Sequence, residues 1–209
     1  MKEKIARKLL EIKAVAITDR KNLFTWASGI KSPIYCDNRL TMSYPEVREL
    51  VAEGMKSIVE QHFPQAEVLV GTATAGIPHA AWTAQKMQLP MAYVRSSAKE
   101  HGKKNQVEGR VLPGQKVVVI EDLLSTGGSS IKAVKALQEA GAEVLGVVAI
   151  FTYGFEKVDE AFQEKGVPYY TLTNYSTLLP IAAEMGYVKE EELKALEQWS
   201  KDPYMFTEQ

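Results

Sequence analysis

The stretch VVVIEDLLSTGGSS, residues 117–130, places two acids beside a run of small residues at the end of an apolar segment. Glu121 and Asp122 follow residues predicted to form a buried strand, and a buried carboxylate is unfavourable unless it is hydrogen-bonded, paired or metal-bound. The 2′ and 3′ hydroxyls of a ribose supply donors that two carboxylates can accept. The acids therefore predict a ribose site, the alternative being that one of them is only a helix cap or a surface residue.

The small residues that follow the acids predict a phosphate site. Ser125-Thr126-Gly127-Gly128-Ser129 lies between a strand and the start of a helix, where unpaired backbone N–H groups and the helix dipole favour an anion. The alternative is a glycine-rich turn that only redirects the chain. Hydroxyl recognition at the acids and anion recognition at the turn together indicate one ligand, a ribose phosphate.

The elements that must position these residues alternate along the chain. Continuous β-branched segments separated by helical patterns predict an α/β fold with a mainly parallel central sheet flanked by helices. Residues 15–44 are predicted to be irregular. The predicted strands are 67–71, 91–95, 116–122, 143–151 and 168–174, and the predicted helices are 2–14, 45–62, 76–87, 127–141 and 189–200. Ligands of such sheets bind beyond the carboxyl ends of the strands.

Composition limits the partners and the location. The 209 residues carry 25 basic and 26 acidic side chains, a net charge of −1, so binding of nucleic acid is not expected and any anion site is local. The N-terminus has no signal-type apolar core and no segment is long enough to span a membrane. The single cysteine, Cys36, fits a reducing compartment and lacks a base nearby in sequence. We expect a cytoplasmic protein.

Other nucleotide-binding motifs are incomplete. GTATAGIP, residues 71–78, has the glycine spacing of a P-loop but lacks the Lys and Ser/Thr that should follow, and no G-x-G-x-x-G occurs. Kinase, ATPase and dinucleotide-binding functions therefore lose support.

Three segments resemble a known family. VVVIEDLLSTGGSS resembles the phosphoribosyl diphosphate (PRPP) signature of type I phosphoribosyltransferases. YVRSSAKEHGKKNQVEG (93–109) resembles the mobile catalytic loop of orotate phosphoribosyltransferases, and FTWASGIKSPIYCDNR (24–39) resembles their N-terminal segment. The resemblance covers about 20–185. It implies the type I phosphoribosyltransferase fold as a single domain, 1–209, in which 1–44 form a hood over the base site.

The resemblance also implies a reaction and its residues. The 5-phosphoribosyl group of PRPP would be transferred to orotate, giving orotidine 5′-monophosphate and diphosphate in pyrimidine biosynthesis. Lys99, His101 and Asp122 would be catalytic. The PRPP-binding residues would be Thr74, Ala75, Arg95, Lys99, His101, Glu121, Asp122, Leu123, Leu124, Ser125, Thr126, Gly127, Gly128 and Ser129, and the orotate-binding residues would be Lys31, Tyr35, Arg39 and Ser125.

The charge of the leaving diphosphate accounts for the expected metal and loop. Mg²⁺ and cations neutralise charge that develops on such a group, so Mg²⁺ is the expected cofactor, held mainly by PRPP with a possible contribution from Asp122. The resemblance further implies a homodimer in which the loop 95–109 reaches the partner's active site.

Four positions depart from the family pattern. Many members have a lysine where this chain has Ser96, and another lysine where it has Ala27. Many also have tyrosine-lysine in place of Thr74-Ala75, and an orotate-binding arginine in place of the Thr152-Tyr153 region. The orotate carboxylate thus loses its usual cations, and Lys31 or Arg39 is the hypothesised substitute. The departures keep open a purine-base phosphoribosyltransferase. A PRPP-sensing regulator without catalysis is a further alternative, although it would normally need a basic nucleic-acid-binding module.

Overall fold

A computed structural model describes residues 1–26, 29–97 and 106–207. Its centre is a six-stranded sheet with the order β10-β9-β8-β5-β6-β7, parallel except for the last pair, β6 and β7. These strands are β5 Val68–Thr72, β6 Met91–Val94, β7 Val107–Glu108, β8 Lys116–Leu124, β9 Glu143–Thr152 and β10 Tyr169–Asn174. The predicted mainly parallel α/β fold is confirmed.

Helices cover the sheet. α2 packs on α3, while α4 packs on α5, and members of both groups contact the central strands. The helices are α1 Lys2–Glu11, α2 Pro45–His62, α3 Gly76–Met87, α4 Gly128–Glu139, α5 Glu156–Lys165, α6 Tyr175–Glu184 and α7 Leu193–Lys201. β5 is buried along its whole length and β8 and β9 over most of theirs, as expected for parallel strands covered on both faces. None of the helices in the described part of the chain is long and apolar enough to cross a membrane.

The N-terminal region is more regular than its sequence indicates, so the prediction of an irregular 15–44 is wrong. Two antiparallel pairs occupy it, followed by a 3₁₀ helix at Asn38–Ser43. The pairs are β1 Val15–Ile17 with β4 Ile34–Cys36, and β2 Phe24–Thr25 with β3 Lys31–Ser32. Strands of two or three residues are too short to show a period-2 pattern, which explains the error.

The predicted boundaries of the longer elements agree with the structure within a few residues. Helices 45–62 and 76–87 are confirmed as predicted. The predicted helix 2–14 ends earlier, at Glu11, because Lys13 has a φ of 58° and the chain then enters β1. Two helices, α5 and α6, follow β9 and β10 and were not predicted.

Candidate active site

Glu121 is the buried acid of the site. Its side chain is 4% exposed, and Oε1 accepts a hydrogen bond from the backbone N–H of Asp122 at 3.0 Å. Burial, followed by the proximity of Asp122, raises the pKa of Glu121 from 4.5 to about 7. Glu121 therefore gains or loses a proton near neutral pH.

Two serines of helix α4 hold the other oxygen of Glu121. Oε2 accepts hydrogen bonds from the hydroxyls of Ser130 at 2.9 Å and of Ser129 at 3.2 Å. The sequence interpretation assigned Ser129 to the phosphate and did not assign Ser130. The second serine of GGSS was the available signal, since it lies one residue further into the helix and is fully buried. The serines fix the acid against the first turn of α4.

Asp122 is half-buried and next to the N-terminal region. Its backbone carbonyl accepts a 2.7 Å hydrogen bond from Nδ2 of Asn38, the first residue of the 3₁₀ helix. Asn38 is 1% exposed, and its Oδ1 is buried without a partner among the described residues. The sequence interpretation missed Asn38, which ties the acidic strand end to the predicted hood.

The predicted phosphate turn joins β8 to α4. Gly127 precedes the helix with a φ of 77°, and a Cβ there would lie 3.1 Å from the ring of Phe162 in α5. A side chain is thus disfavoured both by conformation and by space. Within the described residues, no side chain caps α4, so its first N–H groups suit an anion.

Leu124 has a structural position in this turn. Its side chain is fully buried, and its carbonyl accepts a hydrogen bond from Oγ1 of Thr152 at 3.0 Å. A contact of Leu124 with PRPP, as predicted, would therefore not involve its side chain. Leu123, Ser125 and Thr126 are more accessible and line a cavity.

The loop after β5, which contains Thr74 and Ala75, lies beside the acidic strand. A Cβ on Gly76 would stand 2.5 Å from the carbonyl oxygen of Ile120 and 2.6 Å from Oγ1 of Thr72. Only glycine allows this approach, which places Thr74 and Ala75 next to the end of β8. The peptide bond between Ala73 and Thr74 is cis.

Arg95 lies at the base of the predicted catalytic loop. Its N–H donates to the carbonyl of Gln106 at 2.8 Å, and Nη1 lies 3.5 Å from Oε1 of Glu108. β6 and β7 pair directly below, so the two ends of the loop are held together. Lys99 and His101, the predicted catalytic residues of this loop, lie outside the described residues.

A cavity of about 670 Å³ adjoins the turn between β8 and α4 and is called here the base cavity. Its lining is mainly apolar and aromatic, with a few hydroxyls, one acid and two lysines. The described lining residues are Thr25, Trp26, Ile30, Tyr35, Cys36, Leu123, Ser125, Thr126, Tyr153, Phe155, Glu156, Lys157, Ser200, Lys201, Pro203 and Tyr204.

Two of the four predicted orotate-binding residues line the base cavity, namely Tyr35 and Ser125. Lys31 and Arg39 are not among its lining residues. Nζ of Lys31 donates to Oγ1 of Thr25 at 2.7 Å, and Arg39 forms two hydrogen bonds with the carboxylate of Asp37 at 2.6 and 2.9 Å. The structure therefore does not bring the two predicted cations to the cavity wall.

Aromatic rings build the floor of the base cavity. Trp26 stands 4.9 Å from Tyr153 and 5.6 Å from Trp199, while Tyr153 stacks on Phe155 at 5.4 Å. Burial raises the pKa of the Tyr153 hydroxyl, which stays protonated. The flat, apolar floor suits a planar ring.

Two further side chains could in principle act as nucleophile and base, the thiol of Cys36 and the imidazole of His79. At neutral pH the thiol is protonated and the imidazole is neutral. Burial, with the nearby charge of Asp122, raises the pKa of the Cys36 thiol well above its usual value. Burial lowers the pKa of His79 from 6.5 to about 4, and its Nε2 lies 3.4 Å from Oγ1 of Thr41. Neither group is suited to reactivity.

The acidic strand end offers hard oxygen donors but no complete metal site. Among the described residues, no group of three or more His, Cys, Asp or Glu side chains could hold a metal ion. Carboxylates such as Asp122 fit Mg²⁺, which usually keeps few protein ligands and completes its shell with phosphates and water. The residues therefore fit an ion held largely by its substrate.

A second cavity, of about 760 Å³, runs along β10 and α2. None of the residues from Glu121 to Ser129 lines it. Because the two acids, the predicted phosphate turn and the base cavity meet at one strand end, this strand end is the candidate active site.

Comparison with known proteins identifies the family of the chain. The phosphoribosyl transferase domain family matches residues 43–174. An orotate phosphoribosyltransferase of Bacillus pumilus is 60% identical over 203 residues, covering 97% of this chain and 95% of the relative.

Solved structures show the same fold. The orotate phosphoribosyltransferase of Aeropyrum pernix superposes with a TM-score of 0.76 at 28% identity, covering 88% of this chain and 99% of its own. The UMP synthase of Leishmania donovani gives 0.78 at 26% identity; 94% of this chain is covered, but only 42% of that one. From its signature, its fold and the 60% identity along nearly its whole length, the chain belongs to the orotate phosphoribosyltransferase family.

Proposed function

We propose that the protein transfers the 5-phosphoribosyl group from PRPP to orotate, producing orotidine 5′-monophosphate and diphosphate for pyrimidine biosynthesis. One observation carries the proposal: Glu121 and Asp122, the uncapped start of α4 and the base cavity meet at the carboxyl end of β8. These three features match the three parts of the product, which are the ribose hydroxyls, the 5-phosphate and the planar base.

The residues have distinct roles in this reaction. Asp122 and Glu121 accept hydrogen bonds from the ribose hydroxyls, and Ser129 and Ser130 hold Glu121 in place. The backbone N–H groups of the turn bind the 5-phosphate. The bond from C1 to diphosphate breaks, the bond from C1 to N1 of orotate forms, and the N1 proton is released.

Charge stabilisation of the leaving group involves groups beyond this strand end. Thr74, Ala75 and Arg95 are assigned to diphosphate, as are Lys99 and His101, which lie outside the described residues. Mg²⁺, held by PRPP oxygens with Asp122 available to it, would supply further positive charge. Chelation with EDTA should abolish turnover, and added Mg²⁺ should restore it.

The assembly is also part of the proposal. A homodimer would let the loop 95–109 of one subunit serve the active site of the other. Mixing two inactive variants tests this, since refolding K99A together with D122N should restore activity in hybrid dimers that contain one intact site. Absence of any recovery would contradict shared sites. The controls of the mixing experiment are K99A and D122N, each refolded alone.

Two further features belong to the proposal. The chain 1–209 is treated as one domain, with 1–44 as the hood, a division supported by the hydrogen bond from Asn38 to the carbonyl of Asp122. A cytoplasmic location is supported by the single cysteine, Cys36, which is unpaired.

A steady-state assay of diphosphate release with PRPP and Mg²⁺ tests the reaction. Orotate is compared with adenine, hypoxanthine and xanthine. Turnover with orotate alone is the expected result. Turnover with a purine would replace the proposed base, and PRPP binding without turnover on any base would favour a regulator.

A further inference from the structure

The base cavity contains two cations that the sequence interpretation did not consider. Lys157 lies in the first turn of α5, and Lys201 is the last residue of α7. Both line the cavity, whose other walls are mainly apolar. Since orotate is a carboxylate and would lose most of its hydration in such a cavity, a positive group is needed there.

The two lysines are available for a ligand. Among the residues that the structure describes, neither Lys157 nor Lys201 takes part in an ion pair or a side-chain hydrogen bond. Lys31 and Arg39, by contrast, are bound to Thr25 and Asp37 respectively. The cations lining the cavity are therefore uncommitted, whereas the two outside it have partners.

The position of α5 distinguishes the two lysines. Val158 and Phe162 of this helix lie 3.8 Å and 3.1 Å from the place of a Cβ on Gly127, so the first turn of α5 flanks the phosphate turn. Lys157 adjoins Val158. Lys201 belongs instead to the wall built by Ser200, Pro203 and Tyr204.

The chemistry of orotate selects the lysine beside the turn. Its carboxylate is on C6, next to N1, and N1 becomes bonded to C1 of the ribose. The carboxylate must therefore stay near the ribose phosphate, while the opposite edge of the ring points away from it. Resting on the proposed function, we propose that Lys157 binds the orotate carboxylate and thereby sets the preference for orotate over uracil.

Glu156 also lines the cavity and bears the opposite charge. It immediately precedes Lys157 on α5, and neighbouring helix positions point about 100° apart, so both side chains cannot face the same ligand atom. Without Lys157, the carboxylate of Glu156 would repel the orotate carboxylate. The positive charge of Lys157 therefore decides whether this wall attracts or repels the substrate.

The variant K157M tests the proposal, with K165M as the matched control because Lys165 lies in the last turn of the same helix and does not line the cavity. A hydrogen bond to a charged group is worth enough to raise the orotate KM about 10- to 100-fold in K157M. The KM for PRPP should stay within about twofold, and K157R should recover most of the loss. K165M should resemble the unmodified protein.

A change of substrate provides a second, independent readout. The methyl ester of orotate lacks the negative charge, so its inhibition constant should greatly exceed the KM for orotate in the unmodified protein. In K157M the ratio of the two constants should fall about tenfold or more. A merely structural role of Lys157 would weaken both ligands alike and leave the ratio unchanged.

The outcomes separate the inference from the proposed function. If the unmodified protein uses orotate but K157M keeps its orotate KM and the ester ratio, Lys157 is not the carboxylate site. If the loss occurs in K201M instead, the assignment to α5 is wrong. If the unmodified protein does not use orotate, the proposed function fails and the inference with it.

Discussion

Glu121 and His79 make a testable prediction about how folding stability depends on pH. Both side chains are buried, with exposures of 4% and 1%. Burial raises the pKa of Glu121 from 4.5 to about 7 and lowers that of His79 from 6.5 to about 4. Each pKa thus differs by roughly 2.5 from its ordinary value, which at about 1.36 kcal/mol per pKa unit corresponds to about 3 kcal/mol.

The two groups act in opposite directions. Between pH 4.5 and 7 the folded protein holds a proton on Glu121 that the unfolded chain has released, so the free energy of unfolding falls by about 3 kcal/mol as pH rises. Between pH 4 and 6.5 the unfolded chain holds a proton on His79 that the folded protein lacks. Its contribution therefore increases by about 3 kcal/mol as pH rises.

Between pH 4.5 and 6.5 the two contributions should therefore nearly cancel, so that together Glu121 and His79 leave the free energy of unfolding almost independent of pH. E121Q removes the falling contribution, so its free energy of unfolding should rise with pH relative to the unmodified protein. H79Q removes the rising one, so its free energy should fall with pH. Across this window the difference between the two variants should change by roughly 4 kcal/mol.

Urea denaturation of the ligand-free protein at pH 4.5, 5.5, 6.5 and 7.5 measures these slopes. E160Q, which changes an exposed carboxylate of α5, is the control and should run parallel to the unmodified protein. Other titrating groups are common to all variants and cancel in the differences. Parallel curves for E121Q and H79Q would refute the opposing pKa changes.

Three further substitutions test the site's construction. S130A should lower the free energy of unfolding by about 1–3 kcal/mol in urea, because it removes a donor from buried Glu121, whereas S129A, at an exposed residue, should cost less. G76A should lower stability by about 1–3 kcal/mol and weaken PRPP binding measured by calorimetry, since its Cβ would overlap a strand carbonyl. W199A should cost about 3–5 kcal/mol in urea denaturation and raise the orotate KM more than the PRPP KM, because Trp199 packs behind Trp26, Tyr153 and Phe155, which line the base cavity. Equal effects on both KM values would contradict its support of the base cavity.

The strand-turn-helix unit of the candidate site could be predicted because it is local in sequence. Glu121 and the turn at 125–129 belong to one strand-turn-helix unit, where adjacent residues become adjacent groups. The longer helices and buried strands were predictable for a related reason, as their hydrophobic patterns extend over enough residues to define a period. The family resemblance added the base and the loop.

The base cavity was not predictable in the same way. Trp26, Phe155 and Trp199 come from distant segments, and nothing in their local sequence shows that they meet. The choice of Lys31 as a carboxylate ligand relied on nearness to a recognised motif, yet its amine is bound to Thr25. Lys157 lies in α5, a helix that was not predicted at all, because only Val158 and Phe162 of its apolar positions are buried.

The hood is fastened to the C-terminal segment by hydrogen bonds that close very long stretches of chain. Trp199 donates to the carbonyl of Lys31 across 168 residues, and the N–H of Lys31 donates to Thr207 across 176. Because such contacts close very long loops, we expect them to form late in folding, after the strand-turn-helix unit. They can also open locally while the sheet remains folded. Amides of the hood should therefore exchange hydrogen faster than those of β8, and a base could leave the protein while the phosphate turn keeps its shape.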